Sequence, residues 1–575
     1  MAGLFAAVSA ARHGARTLLM HERPVLGGNA SSEVRMWICG AHGENNRETG
    51  LLEELTLLNC CRNPTKLYPV WDTLLFEMAK REPNLELLLN CSCMDAAMDG
   101  SRIASVTGWQ MTTQTFHVVR AHHFADCSGD SVLAPLTGAE YRVGREAASE
   151  FGEKVSTQTA DLRTMGNTCL IQARRYAEPS GFTAPEWATK ISREALEFRR
   201  PCLDSDGENF WYLELGGDRD TIGDAEVIRD ELIALALGLW DHIKNSGDFP
   251  GAEYWQLDFL GFLPGKRESR RYVGDHILTQ NDVLAGGRFP DTVAFGGWAL
   301  DDHHPGGFYH EGNPNTWGAT PSPYGIPYRS LYSRNIDNLF FAGRNISATH
   351  AALSSTRVMA TCALLGQAVG TAAAIAERHS LTPRGVYEQR LDLLRETLMF
   401  DDCFLPFTRR RMSGLTRSAA LSSTGTAEFL ENLRNGADRE NWTYGEGEQG
   451  YFCAPGTAVS YTWDEPVALS RIRLLFDSDL DRRTIPIEQN VERTHSMRAN
   501  VPLDAPRQIV PKTLMRRYAV ELLTDSGWTL LRAEEQNLAR LAVLPVGQSV
   551  RGVRVTLLGD WGCRGRLHLY SFDVD

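Results

Sequence analysis

Small and apolar residues recur at helical spacing from the first residue of the chain. Residues 1–14 read MAGLFAAVSAARHG, and their glycines and alanines fall on one side of a helix. A helix whose face carries only small side chains can lie very close to a sheet. The next apolar run, residues 18–20, suits a buried parallel strand that leads to the acidic Glu22. The pattern therefore predicts a helix, then a strand that ends near an acid.

Further elements are legible in the same way along the first two thirds of the chain. Apolar spacing predicts helices over residues 51–58 and 71–81, and strands over residues 85–89, 103–106 and 115–119. Residues 339–343 read LFFAG and predict a buried strand that ends in glycine. A turn and a long helix of Ala, Gly, Leu and Val are expected to follow, from Ser354 onward.

The C-terminal third changes to a two-residue alternation. Strands are predicted over residues 458–463, 472–476, 518–523, 553–558 and 567–574. Short strands with polar turns between them favour a β-sandwich or jelly roll. This part is somewhat similar to a galactose-binding-type module, for which structural support is the preferred role. If it binds sugar instead, Trp442, Tyr444 and Trp561 would form the platform.

Composition and charge narrow the classes of partner. The chain has 575 residues, too many for one hydrophobic core. Its net charge of −13 disfavours nucleic acid or an anionic membrane as the main partner, because both require a basic surface. No signal peptide is visible, and the most apolar stretch, residues 362–376, is too short to span a bilayer and indicates a buried helix.

The 12 cysteines indicate a reducing compartment. Cys91 and Cys93 are separated by one residue, which would make a strained disulfide. No C-x-x-C and no paired metal spacing occurs in the sequence. We therefore expect reduced thiols, a cytoplasmic location and no metal site.

The first thirty residues follow part of the order of a dinucleotide-binding βαβ unit. Such a unit needs a strand, a glycine-rich turn, a close-packed helix and a second strand that ends in Asp or Glu. Glu22 follows Gly3 at close to the usual spacing of about twenty residues. Of the G-x-G-x-x-G fingerprint only the last glycine can be present, as Gly3. We expect the first strand and two glycines to be missing, through truncation or a start codon assigned too late.

Three motifs in order carry a resemblance to a known family. Residues 22–43 read ERPVLGGNASSEVRMWICGAHG, residues 123–130 read HFADCSGD, and residues 342–350 read AGRNISATH. With these motifs the chain resembles the FAD-dependent oxidoreductases of the glutathione-reductase-like superfamily. The resemblance implies FAD as the cofactor and a Rossmann-like FAD-binding domain. It also implies a set of cofactor-binding residues, which are Gly3, Glu22, Arg23, Gly27, Gly28, Asn29, Ser31, Arg35, Ser128, Gly129, Asp130, Gly343, Arg344, Ser347 and His350.

Catalytic candidates come from loops rich in histidine and tryptophan. Residues 296–307 read GGWALDDHHPGG, a composition suited to presenting proton-transfer groups to a ligand. Relatives carry W-P-x-D-x-H here, so His303 is the matching residue, His304 is second, and Ala299 replaces the usual proline. His42 and Arg357 complete the set of catalytic candidates. The basic run at residues 266–271, KRESRR, is either a solvated face or a structural clamp between domains.

The resemblance implies an α/β fold with an inserted substrate domain, and the alternation in the C-terminal third adds an all-β sandwich. We expect the FAD-binding domain at residues 1–145 and 320–395, the substrate domain at 146–319, a helical linker at 396–435 and a galactose-binding-like sandwich at 436–575. The implied reaction is hydride transfer to flavin from an organic alcohol or amine, with a carbohydrate as the first candidate. The alternatives are a redox-neutral hydratase or isomerase, and a cofactor-free binding protein from a truncated gene. The oligomeric state is left open.

Overall fold

The computed structural model describes residues 1–203, 209–445, 447–484, 496–497 and 507–575. These residues divide into two compact units. The first unit comprises Met1–His42 and Lys66–Leu394, with residues 496–497. The second comprises Gly43–Thr65, residues 395–484 and Arg507–Asp575. The first unit is mixed α/β and the second is built around a β-sheet.

The first unit contains both long helices and single-turn helices. They are Ala2–Arg12, Tyr68–Lys80, Leu133–Thr137, Ala148–Phe151, Ala225–Asn245, Gln280–Leu284, His350–Thr356 and Met359–His379. A further helix, Pro383–Phe400, begins in this unit. The 21-residue helix Ala225–Asn245 buries its apolar side in a core of its own, which includes Leu232, Leu239 and Trp240.

Two pairs of parallel strands lie in the residues that the sequence assigns to the FAD-binding domain. Thr17–His21 pairs with Leu85–Leu89, and Phe124–Asp126 pairs with Leu339–Phe341. Both pairs lie beneath the start of helix Ala2–Arg12. A Cβ atom at Gly3 would lie 3.8 Å from Leu19 in the first pair and 3.2 Å from Cys127, which directly follows the second pair. Among the described residues these pairs belong to separate sheets, so a single Rossmann-like sheet stays a prediction.

The small face of helix Ala2–Arg12 was expected to lie on a sheet, and its closest contacts are with a helix. Gly366 and Gly370 of helix Met359–His379 face it, and a Cβ atom at either glycine would overlap the backbone of Ala2 or Ala6. The hydroxyls of Ser9 and Thr371 are hydrogen-bonded at 2.9 Å. Helix Met359–His379 is long and apolar enough to cross a membrane, but 89% of its apolar window is buried inside the protein, as in the core helices of soluble proteins.

The single helix predicted from Ser354 onward is two helices, so this prediction was wrong in its boundaries. Helix His350–Thr356 ends at Arg357, and Val358 is extended before Met359–His379 begins. The break has a tertiary cause. Arg357 turns its guanidinium towards Asp301, and the amide of Ala360 donates to the carbonyl of Cys39. No glycine or proline marks this break in the sequence.

The remaining strands of the first unit form small antiparallel sheets. One has three strands, Cys91–Asp99, Arg102–Gln110 and Thr115–Val119. Another has the order Glu214–Leu215, Asn167–Thr168, Gly265–Lys266. The two-stranded pairs are Ile171–Arg175 with Trp255–Leu260, Tyr141–Arg142 with Arg271–Tyr272, Thr292–Gly296 with Tyr324–Pro327, and Leu300–His303 with Asn315–Gly318.

The second unit is organised by one seven-stranded sheet. Its strands are Ala420–Ser423, Tyr451–Cys453, Thr457–Phe476, Met515–Thr524, Gly527–Glu534, Leu541–Asp560 and Leu567–Val574. Two of the predicted strands, 458–463 and 472–476, are parts of the one long strand Thr457–Phe476, which bulges between them. The structure also differs from the expected helical linker. Beyond Phe400 the described elements of residues 401–435 are one helix, Gly414–Ser418, a 3-10 turn, and strand Ala420–Ser423, which pairs with Val459–Thr462.

Helix Leu51–Arg62 belongs to the second unit, whereas the sequence places it in the FAD-binding domain. Leu57 of this helix packs in the β core with Leu474 and Phe476. Glu53 on the same helix binds Arg482 at 2.8 Å, and both side chains are 1% exposed. Packing and a buried ion pair therefore attach the segment to the sheet.

Candidate functional site

Strand Leu300–His303 positions the acidic and histidine side chains of the site. Successive side chains of a strand point to opposite faces. Asp301 and His303 share one face, and Asp302 lies on the other. Helix His350–Thr356 packs against this strand, with His350 as its first residue and Arg357 directly after its last. The strand and the helix together build two adjoining charged clusters.

The first cluster surrounds His303, whose side chain is 4% exposed. Its Nδ1 lies 2.6 Å from Glu214 Oε2, and its Nε2 lies 3.4 Å from Asp301 Oδ2. Trp211 contacts the imidazole edge-on, with ring centroids 5.2 Å apart. Burial alone would raise the pKa of Glu214, but the positive charge of Arg267 and the hydrogen bond with His303 bring it below its ordinary value. The short bond to Glu214 holds the ring in one orientation.

Arg357 fixes the other carboxylate of this cluster. Its Nη2 donates to the backbone oxygen of Asp301 at 2.9 Å and to Asp301 Oδ2 at 3.0 Å. Although burial opposes ionisation, His303 and Arg357 hold the pKa of Asp301 well below its usual range. Trp298 Nε1 also reaches Asp301 Oδ2, at 3.4 Å. Asp301 is therefore a permanent anion held between an arginine, a histidine and an indole.

The second cluster surrounds His350, which is buried between two carboxylates. Its Nδ1 lies 2.9 Å from Glu268 Oε2, and its Nε2 lies 2.9 Å from Asp302 Oδ1. Burial lowers the pKa of His350, but the charges of Glu268 and Asp302 outweigh it and raise the pKa to about 10. Arg271 lies 3.5 Å from Glu268 and 3.1 Å from Glu146. His350 is therefore an imidazolium at neutral pH.

Asp130 and Arg344, both predicted cofactor residues, meet in an ion pair. Arg344 Nη2 lies 2.8 Å from Asp130 Oδ1, and Lys266 Nζ lies 2.8 Å from Asp130 Oδ2. Ser269 donates to Asp130 at 2.7 Å. Burial opposes ionisation of Asp130, but Arg344 and Lys266 lower its pKa to about 2. The guanidinium of Arg344 lies against Gly129, where a Cβ atom would overlap it.

The predicted cofactor loop lies beside the start of helix Ala2–Arg12. The α-amino group of Met1 donates to the carbonyl of Gly27, a residue with φ of 109° that a side chain would strain. Ser31 Oγ donates to the carbonyl of Gly28 at 2.8 Å. Asn29 Nδ2 donates to the backbone oxygen of Lys266 at 3.1 Å. The loop therefore contacts the strand that carries Lys266.

The other predicted cofactor residues are placed by local contacts. Glu22 is 53% exposed on its side chain and lies 3.4 Å from Arg23, which also pairs with Glu33. Ser128 donates to Asp126 at 2.6 Å and forms the turn before Gly129. Gly343 has a φ of 114° directly after strand Leu339–Phe341 and Ala342.

Arg35 and His304 contact residues outside the His303 cluster, whereas His42 reaches this cluster through Trp298. Arg35 lies over the ring of Phe259 and donates to Gln172 at 3.2 Å. His42 stacks on Trp298 with centroids 4.4 Å apart, and burial lowers its pKa. His304 stacks on His310 at 3.5 Å and accepts from the amide of Gly306. The structure thus brings together His303 and Arg357 among the predicted catalytic residues.

Buried polar atoms without a hydrogen-bond partner among the described residues test whether FAD suits this site. They include Nε of Arg23, Nε of Arg344, Oγ of Ser347 and Nε of Arg357. Three of these four residues are predicted cofactor ligands, and buried polar groups are almost always paired in folded proteins. With the glycine turns at Gly27 and Gly343, they offer cationic and hydroxyl donors that fit a dinucleotide pyrophosphate and ribityl chain.

The sequence did not single out the carboxylates that organise the histidines. Glu214 and Glu268 come from the irregular middle of the chain, and Asp301 and Asp302 precede the histidine that the motif highlights. The KRESRR run was the signal in the sequence that could have indicated these clusters. Lys266 reaches Asp130, Arg267 lies 3.3 Å from Glu214, and Glu268 binds His350.

In the second unit the three proposed platform rings each contact different residues of the described chain. Trp561 donates to the carbonyl of Asn537 and lies under Arg516. Tyr444 lies under Arg409. Trp442 is 55% exposed and meets Phe407 edge-on.

Comparison with solved structures gives similarities of low score. The chain is similar to the family 32 carbohydrate-binding module from Streptococcus pneumoniae EndoD, with 13% identity and a TM-score of 0.20, over 28% of this chain and 99% of that chain. It is similar to the family 32 module of C. perfringens NanJ in complex with galactose, with 10% identity and a TM-score of 0.18, over 28% and 97%. These scores carry no argument about fold or function. A comparison with curated proteins finds no match.

The family described as FAD dependent oxidoreductase matches residues 1–398. The match covers the parallel strand pairs, both charged clusters and every predicted cofactor and catalytic residue. The resemblance found in the three sequence motifs is thereby confirmed, and so is FAD as the cofactor. The chain belongs to the FAD dependent oxidoreductase family and is an FAD-dependent oxidoreductase.

Proposed function

We propose that the enzyme oxidises an organic alcohol or amine, with a carbohydrate or polyol as the first candidate, and that His303 takes the proton released. The observation that carries this proposal is the buried pair of His303 and Glu214, joined at 2.6 Å. A histidine oriented by a carboxylate is the commonest arrangement for a general base at neutral pH. The substrate loses a hydride from carbon and a proton from oxygen or nitrogen.

FAD, when bound, supplies the two-electron acceptor for the hydride. The residues that would hold it are the loop of Gly27, Gly28, Asn29 and Ser31, and the Asp130–Arg344 pair with Ser347. Support for this assignment is the set of buried polar atoms near these residues that have no partner among the described residues.

Glu214 has two effects on His303. It accepts a hydrogen bond from Nδ1–H. The tautomer that it selects therefore leaves Nε2 as the proton-accepting atom. It also stabilises the imidazolium that forms when Nε2 takes the substrate proton. In this tautomer Nε2 carries no proton and donates no hydrogen bond to Asp301 Oδ2, which lies 3.4 Å away, so Nε2 is open to a substrate hydroxyl.

Two arginines keep the carboxylates of this cluster ionised. Arg267 lies 3.3 Å from Glu214, and Arg357 lies 3.0 Å from Asp301. An ionised carboxylate at each position fixes the orientation of the ring. Trp211 covers the ring edge and contributes an apolar wall.

The test is anaerobic reduction of the bound flavin by a panel of monosaccharides, polyols and primary amines. We expect bleaching with at least one member, and a rate at least about 100-fold lower in His303→Asn and Glu214→Gln, as for loss of a general base. His117→Asn, a half-buried strand histidine bound to Gln110, is the matched control and should reduce at the parental rate. A loss in His304→Asn, with His303→Asn active, would move the base to His304 and contradict the proposal.

A redox-neutral reaction is the competing outcome. A substrate that is converted without bleaching the flavin would indicate a hydratase or isomerase.

A cytoplasmic location is also part of the proposal. Its support is that the 12 cysteines of the chain are all free thiols.

For the second unit we propose structural support rather than sugar binding. The rings of Trp561 and Tyr444 are covered by arginines, which leaves them poorly placed to stack on a ligand. Sugar binding at Trp442 is the second candidate, because its side chain is exposed. Titration of the full chain with galactose, followed by calorimetry in the parent and in Trp442→Ala, separates the two. Heat that is lost in the variant would favour sugar binding.

A further inference from the structure

Asn167 is a buried amide that the site described so far does not use. The residue is 0% exposed. Neither its Nδ2 nor its Oδ1 has a hydrogen-bond partner among the described residues. A side-chain amide offers two donor hydrogens and an acceptor oxygen, and nearly all buried groups of this kind are paired in folded proteins. Asn167 therefore presents both donors and an acceptor to its surroundings.

The pairing of its strand determines which face the amide is on. Asn167–Thr168 is the central strand of a three-stranded antiparallel sheet, and Asn167 is directly opposite Lys266. Residues directly opposite each other in such a pair carry their side chains on the same face. Thr168 points to the other face, where its hydroxyl accepts from Arg267 at 2.6 Å. Asn167 and Lys266 thus share a face that is distinct from the His303 side.

The face of Lys266 is the cofactor face. Lys266 Nζ binds Asp130 at 2.8 Å, and Asp130 binds Arg344 at 2.8 Å. The backbone oxygen of Lys266 accepts from Asn29 of the cofactor loop at 3.1 Å. Three predicted cofactor residues from separate parts of the chain therefore converge on the residue next to Asn167.

We propose that Asn167 is a flavin-binding residue, whose amide binds the pyrimidine edge of the isoalloxazine ring. This edge carries an N–H between two carbonyl oxygens, so Oδ1 can accept from the ring N–H while Nδ2 donates to a neighbouring carbonyl. A charged side chain could satisfy only one of these groups, whereas an amide matches both. The inference rests on FAD as the cofactor and does not depend on which substrate the enzyme oxidises.

A donor at this edge has a predictable effect on the flavin. Reduction places negative charge on the pyrimidine ring, and a hydrogen-bond donor there stabilises the reduced form more than the oxidised form. Loss of the amide should therefore weaken FAD binding and also make the midpoint potential more negative. A residue that binds the ribityl chain instead would change affinity alone.

The experiment is titration of the full-length apoprotein with FAD, followed by measurement of the midpoint potential with a chemical reductant. Asn167→Leu should weaken FAD binding roughly tenfold, as for one or two lost hydrogen bonds, and lower the potential. Asn167→Asp keeps the size of the side chain and loses the donor, so it should lower the potential as well. Asn59→Leu is the matched control. Asn59 is a fully buried asparagine of the second unit whose Nδ2 also lacks a described partner, and its loss should leave both quantities at the parental value.

Three results would overturn the proposal. Unchanged affinity and potential in a folded Asn167→Leu, as judged by thermal unfolding, would make the amide a structural residue. Weaker binding with an unchanged potential would assign it to the ribityl chain. If the parent chain does not bind FAD, Asn167 has no flavin to bind. Because the reductant is chemical, an inactive enzyme with a shifted potential would still support Asn167 and would contradict only the proposed substrate reaction.

Discussion

Arg357 binds Asp301 twice, through the backbone oxygen at 2.9 Å and the carboxylate at 3.0 Å. The next residue, Asp302, is bound by His350 at 2.9 Å. Arg357 and His350 stand at opposite ends of the short helix His350–Thr356. Two neighbouring carboxylates of one strand are thus held by the two ends of one helix, so strand and helix form a single rigid support for His303.

Removal of the Arg357 guanidinium should weaken this support. In Arg357→Met, Asp301 keeps its negative charge in a mostly buried place without its arginine, and the stability of the first unit should fall by about 3–5 kcal/mol. The double variant Arg357→Met with Asp301→Asn removes the orphaned charge and should recover most of this loss. Thermal unfolding of the three proteins measures both effects. Equal destabilisation in the single and double variants would show that the guanidinium acts through packing rather than through charge.

The charge state of His350 should make stability depend on pH. Its pKa is raised from 6.5 to about 10 by Glu268 and Asp302 despite burial. The stabilisation of the folded state by protonated His350 is therefore complete below about pH 6.5 and is lost as the pH rises towards 10. His350→Gln lacks it at every pH. Denaturation midpoints of parent and variant should differ most near pH 6 and approach each other near pH 10, and a gap that widens with pH would contradict the assignment.

Local periodicity was sufficient to predict the helices and strands that are determined by residues close to them in sequence. The helix predicted over residues 1–14 is Ala2–Arg12, and the strands predicted over 85–89 and 115–119 are present with those bounds. The buried strand before Gly343 was also legible, because a continuous apolar run that ends in glycine has few alternatives.

The charged clusters could not be read from local pattern. Glu214 lies in a strand of two residues that acquires its place only by pairing with Asn167–Thr168, and such short strands leave no periodicity. His303 and Glu214 are 89 residues apart in sequence. The break at Arg357 likewise depends on a contact with Asp301, 56 residues away. These features depend on contacts between polar groups that are distant in sequence. The local pattern of a single sequence does not indicate such contacts.

Close packing of two helices predicts a link between Gly370 and the cofactor. A Cβ atom in Gly370→Ala would overlap the carbonyl of Ala6, and such overpacking costs about 1–3 kcal/mol. The start of helix Ala2–Arg12 would shift, and with it the contact between Met1 and the loop at Gly27. Lower thermal stability and weaker FAD binding are the expected results, measured by unfolding and by titration.

Gly414→Ala is the matched control for this substitution. Gly414 begins a short helix, and a Cβ atom there would meet nothing within 4 Å. The stability and FAD affinity of the Gly414→Ala protein should equal those of the parent. A less stable Gly370→Ala that binds FAD with parental affinity would show that the helix start does not contribute to the cofactor site.

The buried pair of Arg482 and Glu53 should control the attachment of helix Leu51–Arg62 to the second unit. Both side chains are 1% exposed, and Arg482→Met leaves Glu53 charged without its guanidinium partner at an expected cost of about 3–5 kcal/mol. Hydrogen exchange should then speed up within Leu51–Arg62. Arg482→Met with Glu53→Leu replaces the pair by apolar groups and should restore protection. Unaltered exchange in Arg482→Met would mean that Leu57 and its apolar neighbours hold the helix alone.

The contact between Ser9 and Thr371 joins residues that are 362 positions apart. On the ribosome, the first helix of the chain emerges long before the helix that covers its small face. At ordinary rates of synthesis this interval is roughly twenty seconds to a minute. During that time Ala2, Ala6 and Ser9, which contact Met359–His379 in the finished protein, lack these partners. Assembly of the first unit is thus complete only after Met359–His379 has been synthesised.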